Sequence, residues 1–253
     1  MTLLDAIILG IIEGITEFLP VSSTGHLILA SAVLKLEDTE FLKSFEIAIQ
    51  LGAILSVVVL YARSLIKDRD LIQKTIVAFL PTCIVGLIAY KFVKRYLMGN
   101  ELIVVAALLI GGLVLILFEW LQRGKPEGSK QISYSQAISI GLFQCISMIP
   151  GVSRSAATII GGMVIGIDRK TIVEFSFLLA IPTMAAATAL DIYKSASLFS
   201  SAEIHLLIVG FVISFVVALF SIKLLLRYIQ NHTFVAFGIY RILVAFLFWT
   251  LMM

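Results

Sequence analysis

LLDAIILGIIEGITEFLPVSSTGHLILASAVL, residues 3–34, is an apolar run broken near its middle by a proline and a cluster of hydrogen-bonding side chains. A helix needs roughly 20 mostly apolar residues to cross the hydrocarbon of a bilayer. Leu3–Leu19 nearly reaches that length, stops at Pro20, passes through VSSTG and resumes only as His26–Leu34. Proline has no backbone N–H to donate and pushes the residue before it out of the α region, so a continuous helix is not expected here. The pattern returns later: Gln136–Ile149 ends at Pro150, passes through GVSRS and resumes as Ala156–Ile167. Non-helical backbone at membrane depth is tolerated only inside protein or beside a water-filled cavity. Both stretches are therefore expected to be re-entrant helix–loop–helix hairpins whose tips meet within the membrane.

Six longer apolar segments surround the hairpins: Ile47–Ala62, Ile76–Tyr90, Leu102–Leu121, Phe175–Leu190, Leu206–Ile222 and Phe234–Met253. The polar stretches between them are too short to form a separate soluble domain. An open sheet cannot satisfy its edges in lipid, so runs this apolar are helical. The expected fold is an all-α polytopic membrane protein of one membrane domain, with six transmembrane helices plus two re-entrant hairpins. Composition agrees: 60% of the 253 residues are apolar and 14% are charged, against about a quarter charged in soluble domains. This excludes an ordinary cytosolic enzyme, a disordered chain and a nucleic-acid binder; the net charge of +3 is too small to argue for polyanion binding. Cys83 and Cys145 lie in apolar stretches without metal-ligand spacing and read as packing residues. The N-terminus lacks a basic segment and carries Asp5, so a cleaved signal peptide is not expected.

The two halves resemble each other. At an offset of 130 residues Pro20 matches Pro150, Ser23 matches Ser153, Asp38 matches Asp168, Phe45 matches Phe175 and Leu60 matches Leu190. Each half is one hairpin followed by three spans, and because three is odd the second half is inverted relative to the first. The expected repeats are residues 1–121 and 132–253. Inverted repeats of broken helices place their site near the membrane midplane. Loops 63–75, 122–130 and 223–232 carry four, three and two Lys/Arg, against three and one in loops 91–100 and 191–205. By the positive-inside rule the first set is cytoplasmic.

Glu13 and Glu17 are spaced i, i+4, so on a helix both carboxylates project from one face. Ionisable groups in an apolar segment are expensive and face a cavity or a partner. The plainer reading is a structural or interfacial carboxylate pair. Ser22, Ser23 and Thr24 follow, then Gly25 and His26. One hydroxyl suffices to cap a helix, and here there are three plus an imidazole. The second break supplies Ser153, Arg154 and Ser155. An arginine at a helix centre costs about 2.5–3.5 kcal/mol on translocon scales. As a structural residue it would pair with a glutamate and hold the hairpins together. As a functional residue it fits better: free N–H groups at two helix starts, a guanidinium fork and several hydroxyls all bind phosphate. A hydroxyl nucleophile, a carboxylate and an imidazole then complete a phosphoryl-transfer set. Gln50 with Glu46, and Glu174 with Ser176, occupy comparable places in the two halves and are candidate cavity-lining residues. His205 and His232 read as surface residues. Arg241 is expected to snorkel or to pair with an acid, without a chemical role.

EGITEFLPVSSTGH, FEIAIQLGAILSVV, PGVSRSAATIIGGM, EFSFLLAIP and ATALDIYK, in that order, resemble the bacterial undecaprenyl-diphosphatase family, also called bacitracin-resistance proteins. The resemblance covers the chain from about residue 5 to its C-terminus. It implies inverted repeats with paired hairpins, location in the bacterial plasma membrane, and removal of the terminal phosphate of undecaprenyl diphosphate. That reaction regenerates the carrier for peptidoglycan and other envelope polymers. The family's acidic motif falls on Glu13 and Glu17, its Ser-Ser-Thr-Gly-His run on Ser22–His26, and its Pro-Gly-x-Ser-Arg-Ser motif on Pro150–Ser155.

The expected catalytic residues are thus Glu17, Ser23, His26 and Arg154, and the expected substrate-binding residues are Glu13, Ser22, Thr24, Gly25, Ser153, Ser155 and Gln50. Ser23 is the preferred nucleophile, with His26 or Glu17 handling its proton; attack by water or by His26 stays open. Glu13 and Glu17 are candidate ligands for Mg²⁺ or Ca²⁺, although no sequence feature demands a metal. The expected partners are a polyprenyl diphosphate lipid and bilayer lipids, with no nucleic acid; a homodimer stays open. A transporter or flippase for an anionic polyprenyl lipid is the rival reading, because broken inverted repeats suit it equally.

Overall fold

The backbone N–H of Glu17 makes the last α-helical bond of the first segment, to the carbonyl of Glu13 at 3.0 Å, and the chain then turns ahead of Pro20. The computed structural model describes residues 1–37, 39–97, 100–124, 126, 128–195 and 201–252. Asp38, one of the repeat matches, lies outside them, as does Met253 at the end of the sixth expected span. The first half comprises α1 (Leu3–Thr16), α2 (Ser23–Val33), α3 (Glu40–Leu60), the short α4 (Ala62–Lys67), α5 (Arg69–Phe92) and α6 (Glu101–Gln122). The second comprises α7 (Tyr134–Gln144), α8 (Arg154–Val164), α9 (Arg169–Ser195), α10 (Ser201–Tyr228) and α11 (Val235–Met252). No strand occurs among the described residues; one isolated bridge pairs Ser129 with Ile167.

Both breaks fall where the prolines and hydroxyls lie. After α7 the chain tightens into a 3₁₀ turn over Cys145–Met148 before Pro150. Ser22 and Ser153 then cap α2 and α8, their hydroxyls accepting from Gly25 N and Ala156 N. The outer ends carry capping boxes, Thr2 with Asp5 on α1 and Ser133 with Gln136 on α7. Among the described residues α3, α5, α6, α9 and α10 are long and apolar enough to cross a membrane. The sixth expected span, α11, is an 18-residue helix whose apolar stretch falls short of the other five. The helices reach beyond the apolar runs because polar caps lie outside them: Thr39 starts α3 at Glu40, and Asn100 starts α6 at Glu101.

Packing brings α1 against α10 and α3, α3 against α10 and α9, α5 against α7 and α9, and α6 against α11. Small residues permit the closest of these approaches. A Cβ at Gly10 would stand 2.8 Å from the carbonyl oxygen of Gly210, and one at Gly14 would stand 2.7 Å from that of Ser214. The two helices therefore meet through matched small residues four apart. The starts of α5, α7 and α9 and the ends of α6 and α10 gather at one end. There Arg169 pairs with Glu119 at 2.8 Å and donates to the carbonyl of His232 at 3.0 Å, while the Tyr134 hydroxyl reaches Asp70 and Gln73.

Candidate active site

The turn after α1 delivers Glu17 to the centre of a buried polar cluster. Its Oε2 accepts from the Ser23 hydroxyl at 2.6 Å, and its Oε1 meets Nη2 of Arg154 at 2.7 Å. Glu17 and Ser23 belong to the first break and Arg154 to the second, so one carboxylate joins both. The breaks touch again where the Ser155 hydroxyl donates to the carbonyl of Leu19 at 2.9 Å, with the Ser153 hydroxyl 2.8 Å from that of Ser155. Arg154 also donates through Nη1 to the carbonyl of Ser176 at 2.9 Å and stands over the ring of Phe18. Its Nε is buried without a partner. The Ser176 hydroxyl lies 2.6 Å from that of Thr158, so α9 closes one side of the cluster.

Glu13, one turn before Glu17, is fully buried, and neither carboxylate oxygen has a hydrogen-bond partner among the described residues. Glu17 and Glu46 lie within electrostatic reach of it. A buried carboxylate left open in this way is costly unless something approaches it. Among the described residues no three His, Cys, Asp or Glu side chains are grouped to hold a metal ion. Both oxygens of Glu17 are already engaged. Of the two expected metal ligands, only Glu13 offers open oxygens.

Ser22 has φ +74°, a left-handed conformation that costs a residue other than glycine on the order of 1–3 kcal/mol. That twist turns its carbonyl toward Nδ1 of His26, 2.7 Å away. A carbonyl can only accept, so Nδ1 carries a proton; in the neutral imidazole Nε2 then accepts from the Tyr240 hydroxyl at 2.8 Å. The His26 and Tyr240 rings stack 5.4 Å apart. Both nitrogens of His26 therefore have partners other than Ser23, whose hydroxyl is turned to Glu17. Gly25 is buried against Leu108 and Val104. Thr24 is exposed and Gln50 half-buried on α3, and neither is among the bonded partners of the cluster.

Two residues of α11 enter the site without having been assigned to it from sequence. Arg241 does not snorkel, and it pairs with no acid among the described residues. It is 1% exposed, and its guanidinium donates to four carbonyls: Ala107 and Gly151 at 2.9 Å, Pro20 at 3.3 Å and Leu108 at 3.4 Å. Pro20 and Gly151 sit in the two breaks, so this side chain ties both to α6. An ionisable residue inside an apolar span was the available signal. Its neighbour Tyr240 carried none, being an aromatic among aromatics.

A family model described as bacitracin resistance protein BacA matches residues 6–247. Curated relatives include a protein of Sulfurihydrogenibium, 50% identical over 252 residues that cover 98% of this chain and 99% of the relative. One from Aquifex aeolicus is 49% identical over 250 residues, covering 98% of each, and one from Persephonella marina is 50% identical over 251 residues with the same coverage. All three are named undecaprenyl-diphosphatase. With the match running almost from end to end and through both breaks, this multi-pass membrane protein belongs to the bacitracin resistance protein BacA family.

Proposed function

We propose that this chain is an integral membrane phosphatase that hydrolyses undecaprenyl diphosphate to undecaprenyl phosphate and inorganic phosphate. It thereby recycles the lipid carrier of peptidoglycan and envelope polymers and confers bacitracin resistance. The observation that carries the reading is the unit Ser23–Glu17–Arg154, in which one carboxylate holds a hydroxyl at 2.6 Å and a guanidinium at 2.7 Å. A nucleophile, its base and a phosphate-binding fork are then already in contact.

In the first step Oγ of Ser23 attacks the terminal phosphorus while its proton passes to Oε2 of Glu17. The bond to the bridging oxygen breaks, and undecaprenyl phosphate leaves. Neutralising Glu17 weakens its pair with Arg154, which frees Nη2 for the phosphate oxygens just as charge shifts there. The first N–H groups of α8 supply further donors. After Glu17 has released its proton to the departing phosphate, it takes one from water as the water oxygen attacks the phosphoserine. Glu17 passes that proton to Oγ of Ser23 as the P–Oγ bond breaks, and inorganic phosphate departs. His26, fixed by Ser22 and Tyr240, holds the strained turn that aims Ser23. A divalent cation would be held by Glu13, whose open oxygens together with substrate phosphates would supply oxygen ligands of the kind Mg²⁺ or Ca²⁺ takes. When bound it would offset phosphate charge.

In this reading the fold is six spans and two hairpins entering from opposite faces, as inverted repeats 1–121 and 132–253. Its support is that the contacts come in exchanged pairs: α1 packs on α10 as α7 packs on α5, α3 packs on α10 as α9 packs on α5, and α6 packs on its counterpart α11. The connections richest in Lys/Arg share one end, which we assign to the cytoplasmic face of the plasma membrane. The deciding experiment is phosphate release from undecaprenyl diphosphate by the purified protein in detergent. Steady turnover is expected. Movement of the lipid across vesicle membranes with no phosphate released would favour the transporter reading instead.

A further inference from the structure

Beside the catalytic cluster a groove of about 910 Å³ runs between α10 and α11 to the end where Arg227 and His232 lie. Ile15, Leu19, Leu224 and Phe237 form its walls. Four hydroxyls line it: Thr16 donates to the carbonyl of Ile12 at 2.7 Å and Ser221 to that of Val217 at 3.0 Å, the Tyr240 hydroxyl bonds His26, and Tyr228 lies beside Arg227. Thr16 and Ser221 are satisfied by their own helices, so away from the end with Arg227, Asn231 and His232 the wall offers a ligand mainly hydrocarbon.

The groove borders the cluster without including Glu17, Ser23 or Arg154. Thr16, Leu19 and Val21, which line it, flank Glu17 and Pro20 in the first break, and Tyr240 lines it while its hydroxyl binds His26. A molecule reacting at Ser23 and bearing a long apolar chain has this groove as a contiguous place for that chain. We propose that it holds the first isoprene units of the polyprenyl tail while the diphosphate lies at the Ser23–Glu17–Arg154 cluster; this rests on the phosphatase reading above.

Size and energetics fit that role. Pockets of this volume take a ligand the size of a drug molecule, which means a few isoprene units and not the whole chain. Lipid tails are as apolar as the groove, so entering it from the bilayer adds little hydrophobic free energy. The gain is positional: fixing the first units restricts where the phosphorus can be and aims it at Ser23. Contacts remote from the reacting bond then act on turnover as well as on binding.

The test uses the full-length protein and a polyprenyl diphosphate carrying a diazirine in its second isoprene unit. Irradiation should label the α10 and α11 peptides that contain Leu224 and Phe237. Ala236→Phe and Leu224→Trp fill the groove from opposite walls; each should abolish that labelling and lower kcat/KM for undecaprenyl diphosphate on the order of tenfold or more. Ile88→Phe, on an exposed face of α5 outside the groove, should leave both unchanged. Phosphate release by the wild type with labelling confined to other helices would overturn the groove while leaving the phosphatase reading intact. Unaltered kinetics in both filled variants would overturn it as well. A wild-type protein that releases no phosphate would remove the reading on which the proposal rests.

Discussion

Glu17 has two carboxylate oxygens, and each is held by a different break: Oε2 by Ser23 and Oε1 by Arg154. Arg154 reaches Glu17 and the carbonyl of Ser176 at once because its fork presents two nitrogens in one plane. An ammonium cannot span both, so Arg154→Lys should lose phosphate release almost as fully as Arg154→Ala. Near-normal kcat/KM in the lysine variant would remove the clamp from the mechanism. The serines are separated by a similar argument. Removing a nucleophile lowers kcat by several orders of magnitude, so Ser23→Ala should bind substrate without turning it over. Ser22 holds His26 through its carbonyl, which alanine retains, and contributes its hydroxyl only as a cap to Gly25 N. Losing that cap costs about 1 kcal/mol. Ser22→Ala should keep activity within roughly tenfold of wild type; equal modest losses in both variants would make Ser23 a binder only.

At the scale of elements, proline alone did not mark the breaks. Pro81 and Pro182 lie inside α5 and α9 without ending them. Each is followed by a threonine, and Gln144 of α7 donates to both hydroxyls, at 2.8 Å to Thr82 and 3.1 Å to Thr183. Pro20 and Pro150 were legible as breaks because several polar side chains follow each of them. That pattern also located Glu17, Ser23 and Arg154. The part played by α11 was not legible, since the acceptors of Arg241 are backbone carbonyls, which leave no trace in side-chain patterns, and Pro20 is 221 residues away along the chain. The pairing of His26 with Tyr240 stayed hidden for the same reason of distance, 214 residues. Arg241→Met would leave buried carbonyls of both breaks without donors, at about 1–3 kcal/mol for each group left unsatisfied. It should lower the melting temperature in detergent and kcat together. Arg241→Lys, with an ammonium too compact to reach three elements, should recover part of the stability and little of the turnover. Unchanged kcat in Arg241→Met would show that the breaks hold their geometry without it.

For the whole molecule, everything follows from whether the two hairpins enter from opposite faces. α3 runs from Glu40 to Leu60, the chain turns through α4, and α5 returns from Arg69 to Phe92, so Glu37 and Glu101 fall at the opposite end from the connections around Lys130 and Asn231. The latter end is where Arg169, Glu119 and His232 meet. Glu37, Glu101, Lys130 and Asn231 are all exposed, so a cysteine at any of them can be reached from solution. With Cys83 and Cys145 replaced by alanine, single cysteines at the four positions can be treated with a membrane-impermeant maleimide. The Glu37→Cys and Glu101→Cys variants should label in intact cells, and Lys130→Cys and Asn231→Cys only after the membrane is opened. Were all four to label from one side, α3, α5 and α6 could not cross the membrane as proposed. The hairpins would then not approach from opposite faces, and the cluster joining Glu17 to Arg154 would need another place in the membrane.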